Sequence, residues 1–317
     1  MIKKSDKIFI AGHNGLVGSA IFSCLKKYGY ENLLTQNKAE LDLLNQEETR
    51  LFFKYEKPDS VICAAAKVGG ILANKKYPAQ FLYENLTIQN NIIHLSHKYG
   101  VKSLLFLGSA CIYPKYAEQP IKEESILSGA LEPTNEPYAI AKIAGIKLCQ
   151  SYFRQFSKNF ISVMPNNLYG MNDNFNLETS HVIPALIKKF HDAKVKCHDA
   201  VVVWGTGRPL REFLHVEDLA EAILFIINNI NAEEIYSKNI SHINVGSGEE
   251  ISIHNLAIMI KRIVGYKGLI NFDESMPDGT PRKLLDSSLL IEKGWAPKIN
   301  LETGIKDLYC SYKNKYR

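Results

Sequence analysis

The chain has 317 residues, enough for about two domains or one large one. Its 38 basic and 33 acidic side chains leave a net charge of +5, too little to indicate a nucleic-acid partner. Apolar residues at 46% and charged residues at 22% exclude a disordered or collagen-like chain. No run approaches about 18 consecutive apolar residues, and the start MIKKSDKIFIAG lacks the apolar core of a signal peptide. The expectation is a cytoplasmic protein with no membrane partner.

In chain order, residues 7–11 (KIFIA) form a short apolar run that ends in glycine. Residues 16–25 then take helical spacing, with Val17, Ile21 and Leu25 four apart. A second strand is expected at 32–35, a helix at 46–55 and a buried strand at 60–66 (SVICAAA). A long helix at 78–99, a strand at 102–108, a helix at 136–156 and a strand at 160–164 follow. Strands that alternate with helices predict a Rossmann-type doubly wound parallel α/β sheet. The alternation loosens after residue 166, with loops expected at 166–180, 205–212 and 273–282 and helices at 181–193, 216–229 and 253–264. The division expected is 1–165, joined by segments around 213–245, and a smaller α/β region at 166–317. The basic tail 313–317 reads as a frayed terminus. The six cysteines (24, 63, 111, 149, 197 and 310) form no C-x-x-C pair and read as free thiols, and no metal is expected.

The turn Gly12-His13-Asn14-Gly15-Leu16-Val17-Gly18 links the first strand to the first helix. Glycine suits a tight turn that a phosphate must approach, and a helix N-terminus offers unpaired N–H groups to a pyrophosphate. The second strand carries no acid until Glu40 to bind a ribose 2′-hydroxyl, whereas Lys38 suits a 2′-phosphate. This favours NADP(H) over NAD.

Tyr138 and Lys142 are spaced i, i+4 and share a helix face. An ammonium beside a phenol favours the phenolate, so Lys142 is expected to lower the Tyr138 pKa. Ser109 lies just past the fourth strand, at the carboxyl edge where open α/β sheets bind ligands. Its hydroxyl and the phenol together suit a carbonyl oxygen that takes a proton as hydride arrives. In an extended chain Cys111, two residues on, points to the same side as Ser109.

The segments GHNGLVGSAI, AAKVGGI, LFLGSACIYP, EPTNEPYAIAKIAGIKLC, NNLYG, SHVIPALIKKFH, WGTGRPLREFLHVEDLA and DGTPRKLLD resemble the GDP-L-fucose synthases, extended short-chain dehydrogenase/reductases. The resemblance implies epimerisation of GDP-4-keto-6-deoxy-D-mannose at C3 and C5, then reduction of C4 with NADPH. It implies Ser109, Tyr138 and Lys142 as the reductase triad and Cys111 with His181 as the epimerising acid/base pair. Gly12, Asn14, Gly15, Leu16, Val17, Gly18, Lys38, Ala65, Tyr138 and Lys142 would meet the cofactor. Asn167, Leu168, Val182, Lys189, Trp204, Arg211 and Lys283 match positions that meet substrate, Arg211 and Lys283 suiting its diphosphate and Trp204 its guanine or sugar. A homodimer built through the helices at 78–99 and 136–156 is also implied. Two departures stand out: Asn14 replaces a common arginine beside the cofactor phosphates, and 191–203 follows the family less closely.

Three other readings share part of this pattern. A reductase-only relative would act on another GDP-4-keto sugar, such as a heptose. A sugar-nucleotide 4-epimerase would hold NAD tightly. A regulator would bind the dinucleotide without catalysis, which the intact Ser109, Tyr138 and Lys142 argue against.

Overall fold

The computed structural model describes residues 2–315. Strand β1 (Ile8–Ala11) is buried along its whole length, as an inner strand of a sheet covered on both faces must be. Helix α1 (Leu16–Lys27) begins at Gly15 and ends with Lys26 and Lys27 in its last turn, which complements the helix dipole. Strand β2 (Leu33–Leu34) leads to α2 (Gln46–Glu56), where the Asn45 side chain accepts from the Glu47 and Glu48 N–H groups. Then come β3 (Ser60–Cys63), α3 (Ile71–Lys76), α4 (Pro78–Lys98), β4 (Ser103–Leu107) and α5 (Glu136–Phe156). Both long helices carry proline in the first turn, where its missing N–H costs nothing.

Strands β5 (Asn159–Pro165) and β6 (Asn167–Tyr169) are followed by α6 (Val182–Val195), β7 (Ala200–Trp204) and β8 (Leu210–His215). Next are α7 (Val216–Asn229), α8 (Ala232–Tyr236), β9 (Ile243–Val245), β10 (Glu250–Ser252) and α9 (Ile253–Val264). The chain closes with β11 (Leu269–Asp273), β12 (Arg282–Lys283), α10 (Ser288–Glu292) and α11 (Leu301–Lys315).

The main sheet is parallel, in the order β2-β1-β3-β4-β5-β9. The reversal beside β1 opens a crevice at the carboxyl ends of β1 and β3, the place where such sheets bind ligands. A four-stranded sheet joins β10, β8 and β12, with β6 also paired to β8, and β11 pairs with β7. Apolar clusters fill both faces of the main sheet, and a third lies between α6, α9 and α11.

Three expectations are corrected. Strand β3 stops at Cys63 rather than residue 66, because Ala64 and Ala65 turn against the glycine loop; the Ala64 N–H donates to the Ala11 carbonyl at 3.0 Å. Two of the loops expected after residue 166 hold strands, β6 within 166–180 and the start of β8 within 205–212. The tail is not frayed through Lys315: Lys313 and Lys315 end α11, which Leu308, Tyr309 and Tyr312 bury against the third cluster. Tyr316 and Arg317 lie outside the described residues.

Helix α5 approaches β4 closely at Gly145, where an added Cβ would lie 2.5 Å from the Phe106 ring. Gly145→Val should therefore destabilise the chain by about 2–3 kcal/mol, read from the midpoint of denaturant unfolding at unchanged slope.

Candidate active site

The glycine turn is fixed by close backbone contact. Gly12 has φ +85°, and a Cβ there would lie 2.7 Å from the Ala65 nitrogen. A Cβ on Gly18 would collide with the Gly12 carbonyl, whereas on Gly15 it would meet only that oxygen, at 3.5 Å. So Gly12 and Gly18 serve packing, and the Gly15 side stays open. No side chain caps α1 and no acid stands in its first turn, which leaves the N–H groups at Leu16 and Val17 and the positive helix end for an anion. The turn fits a dinucleotide pyrophosphate. Asn14, within the turn, and Lys38, four residues past the end of β2, are exposed. The Glu40 carboxylate turns back to accept the Asn37 N–H at 2.8 Å.

Ser109 caps a short 3₁₀ turn, Ala110–Ile112, and its Oγ accepts from the Cys111 N–H at 3.5 Å. The extended geometry expected for 109–111 is thus replaced by a 3₁₀ turn, yet the turn keeps the thiol beside the Ser109 hydroxyl. Lys142 is buried, donates to the Leu107 carbonyl at 2.7 Å and stands 5.8 Å from the Tyr138 ring centroid. The Phe81 ring meets Tyr138 edge-on at 6.2 Å.

The expected lowering of the Tyr138 pKa is not realised. Burial drives the phenol well up, the neighbouring Cys111 adds to this, and only the hydrogen bond with Ser109 opposes it. The Lys142 ammonium points its bond at a carbonyl, and burial lowers its own pKa. Tyr138 is therefore held as a neutral O–H donor. Burial also raises the Cys111 pKa, against the pull of Ser109, Lys283 and Lys142. His181 is the N-cap of α6 and is exposed, yet desolvation lowers its pKa.

The second sheet brings further expected residues together. Arg211 and Lys283 are register partners on β8 and β12. Burial lowers both pKa values, that of Arg211 to about 10, so both cations are costly as they stand. Arg211 donates to the Leu210 carbonyl at 2.8 Å and the Asp278 carbonyl at 3.3 Å. Lys283 senses Cys111, so it lies nearer the reacting end than a purely diphosphate role implies. Asn167 donates to the Glu212 carbonyl at 2.8 Å, and Leu168 and Val182 are half-buried beside it in sequence and at the start of α6. Lys189 stands 5.0 Å over the Trp204 ring and donates to the Val202 carbonyl at 2.9 Å. With Trp204 43% exposed, that pair forms an open aromatic shelf rather than core.

Sequence reasoning missed Asp278, Glu132 and Glu212. Asp278 accepts from the Thr206 N–H at 2.7 Å and the Thr206 hydroxyl at 2.9 Å, and so ties the 276–280 loop beside Arg211. Glu132 pairs with Lys115 at 3.0 Å and is a carboxylate that both Arg211 and Lys283 sense. Glu212 was visible as an acid next to the apolar pair Phe213 and Leu214 of REFLH, and its burial there demands a reason.

The model of the NAD dependent epimerase/dehydratase family matches residues 8–246. GDP-L-fucose synthase 1 of Arabidopsis thaliana is 55% identical over 312 residues, 98% of this chain and 94% of that protein. Among solved structures, a GDP-6-OMe-4-keto-L-xylo-heptose reductase from Campylobacter jejuni superposes with a TM-score of 0.95 at 39% identity, covering 99% of each chain. The GDP-mannoheptose C4 reductase of the same organism, solved with NADP bound, gives a TM-score of 0.90 at 40% identity over 99% of this chain and 100% of that one. With the glycine turn and the serine–tyrosine–lysine cleft at the sheet's carboxyl edge, this chain belongs to the NAD dependent epimerase/dehydratase family, among its relatives named GDP-L-fucose synthase.

Proposed function

We propose that this chain inverts C3 and C5 of a GDP-4-keto-6-deoxy sugar and then reduces its C4 ketone with NADPH, as in GDP-L-fucose formation from GDP-4-keto-6-deoxy-D-mannose. The observation that carries the reading is a cluster of side chains. The Ser109 Oγ accepts from the Cys111 N–H at 3.5 Å, and Lys142, bonded to the Leu107 carbonyl, stands 5.8 Å from the Tyr138 ring centroid, which supports a thiol and a reducing triad that work at one carbonyl position. The 55% identical relative named GDP-L-fucose synthase and the neighbour solved with NADP support it.

NADPH, when bound, supplies the hydride. The open side at Gly15 and the Leu16 and Val17 N–H groups would hold its pyrophosphate, in a turn that Gly12 and Gly18 keep tight, with Asn14 and Ala65 alongside; Lys38 would meet the 2′-phosphate, and Tyr138 and Lys142 the nicotinamide ribose. Ser109 and Tyr138 donate to the substrate carbonyl oxygen. In epimerisation this stabilises the enolate, and in reduction Tyr138 gives its proton to the developing alkoxide. The same two donors serve both steps because charge grows on the same oxygen. The buried Cys111 keeps its proton and His181 keeps a free lone pair, the complement an inverting pair needs: one group removes a proton from carbon and the other returns one on the opposite face. Arg211 and Lys283 would balance diphosphate charge, while Asn167, Leu168, Val182, Lys189 and Trp204 frame the rest of the nucleotide sugar.

We divide the chain into a cofactor part, 1–165 with segments around 213–245, and a substrate part at 166–317. We read it as a cytoplasmic homodimer that pairs through α4 and α5, which expose Tyr83, Ile140 and Phe156. No helix among the described residues is long and apolar enough to cross a membrane. The likeness to heptose reductases favours a second reading, reduction of a GDP-4-keto heptose without epimerisation.

Incubation of the chain with GDP-4-keto-6-deoxy-D-mannose in D₂O without NADPH separates the two readings. NMR should show deuterium at C3 and C5, and its absence would leave reduction alone. Cys111→Ser should lose that exchange while still reducing an already epimerised ketone. Tyr138→Phe should keep the fold, by circular dichroism, and cut NADPH oxidation by about 10²–10⁴-fold. Lys38→Ala should narrow the preference of kcat/KM for NADPH over NADH by about tenfold, and an unchanged ratio would remove Lys38 from the 2′-phosphate site.

A further inference from the structure

Glu212 is fully buried on β8, between Arg211 and Phe213. A carboxylate in such a place normally has a cation. Here its partners are neutral donors: the Asn166 side-chain amide, the Leu285 N–H at 3.0 Å and the Gly248 N–H at 2.7 Å. Burial pushes its pKa up and these donors pull it down. Gly246 is packed so tightly against the carboxylate that a Cβ there would collide with Glu212 Oε1.

Two of the donors belong to segments that carry expected substrate residues, and Gly248 lies in the turn between β9 and β10. Asn166 precedes Asn167, accepts its N–H at 2.9 Å and reaches the Lys283 carbonyl at 3.4 Å. The Asn167 amide donates to the Glu212 carbonyl at 2.8 Å. Leu285 lies two residues beyond Lys283, and Arg211 adjoins Glu212 on β8 while pairing in register with Lys283. Successive strand residues face opposite sides, so Glu212 works from behind the face that presents Arg211.

We propose that Glu212 is the positioning residue of the nucleotide-diphosphate subsite, its carboxylate fixing Arg211, Lys283 and Asn167 relative to one another. The inference rests on the GDP-sugar reading above. It explains why a buried acid is kept where an apolar residue would cost less: one side chain with four lone-pair directions joins three chain segments, at Asn166, Gly248 and Leu285.

Calorimetric titration with GDP tests it on the wild type, Glu212→Gln and Gly246→Ala, with NADPH binding followed by fluorescence on the same samples. Glu212→Gln sets an NH₂ group against backbone N–H donors, and Gly246→Ala pushes the carboxylate aside without changing its chemistry. Each should weaken GDP binding by about tenfold or more while NADPH affinity holds. If Glu212→Gln does not fold, Gly246→Ala carries the same expectation. Variants that bind both ligands normally and lose only thermal stability would overturn the role, as would joint loss of GDP and NADPH binding in both. A wild-type chain that takes NADPH but not GDP would overturn the functional reading first, and this inference with it.

Discussion

The site depends on how closely α5 lies on the main sheet. A helix normally stands off a sheet by the thickness of its side chains, but Gly145 removes one, and the Phe106 ring fills the space. On the same helix the Ala141 carbonyl accepts from the Gln89 amide at 2.6 Å, which ties α5 to α4 through a buried bond. Lys142 then reaches the end of β4 and donates to the Leu107 carbonyl, two residues before Ser109. Three contacts of different kinds thus fix the axial position of α5. Tyr138, one turn earlier, arrives beside the Ser109 hydroxyl as a consequence.

That placement sets the electrostatics. Lys142, Lys283 and Arg211 are all desolvated, and each has a lowered pKa for that reason. Asp278 and then Glu132 are the carboxylates that act on Arg211, and Glu132, already paired with Lys115, also acts on Lys283. A cleft with an excess of buried positive charge favours ligands that bring negative charge, and transition states that develop it. A diphosphate at one end and an enolate or alkoxide at the other meet both needs.

Five strands of the main sheet were legible in the sequence, four of them as buried apolar runs (β1, β3, β4 and β5), whereas β9, with three residues, was not. Runs such as SVIC and SLLFL have no other use in a chain of this composition. The i, i+4 pair Tyr138 and Lys142 and the glycine turn were legible because helix geometry and φ > 0 restrict residue choice. The second sheet was not. Its strands β6, β10 and β12 have two or three residues each, too few for a period to show, and they form only through pairing with β8. The 3₁₀ turn at Cys111 was missed for a related reason, because it is set by the Ser109 cap rather than by a run of residues. The Tyr138 pKa went the other way because spacing predicts a neighbouring charge but says nothing about depth, and desolvation outweighed the hydrogen bond from Ser109.

The division between legible and hidden residues follows the two jobs of the cleft. Chemistry common to many reductases uses a few side chains on regular elements, where the backbone alone brings them near. Recognition of a particular nucleotide sugar uses residues on short strands and loops, whose positions must be fixed by hydrogen bonds that no periodicity announces. Asp278 tied to Thr206 and Asn166 tied to Glu212 are bonds of this kind. Such bonds leave their mark in a sequence mainly as polar residues where apolar ones are expected. Glu212 in REFLH is the clearest case, and a buried acid in a short strand is therefore a place to look for the residue that holds a binding surface together.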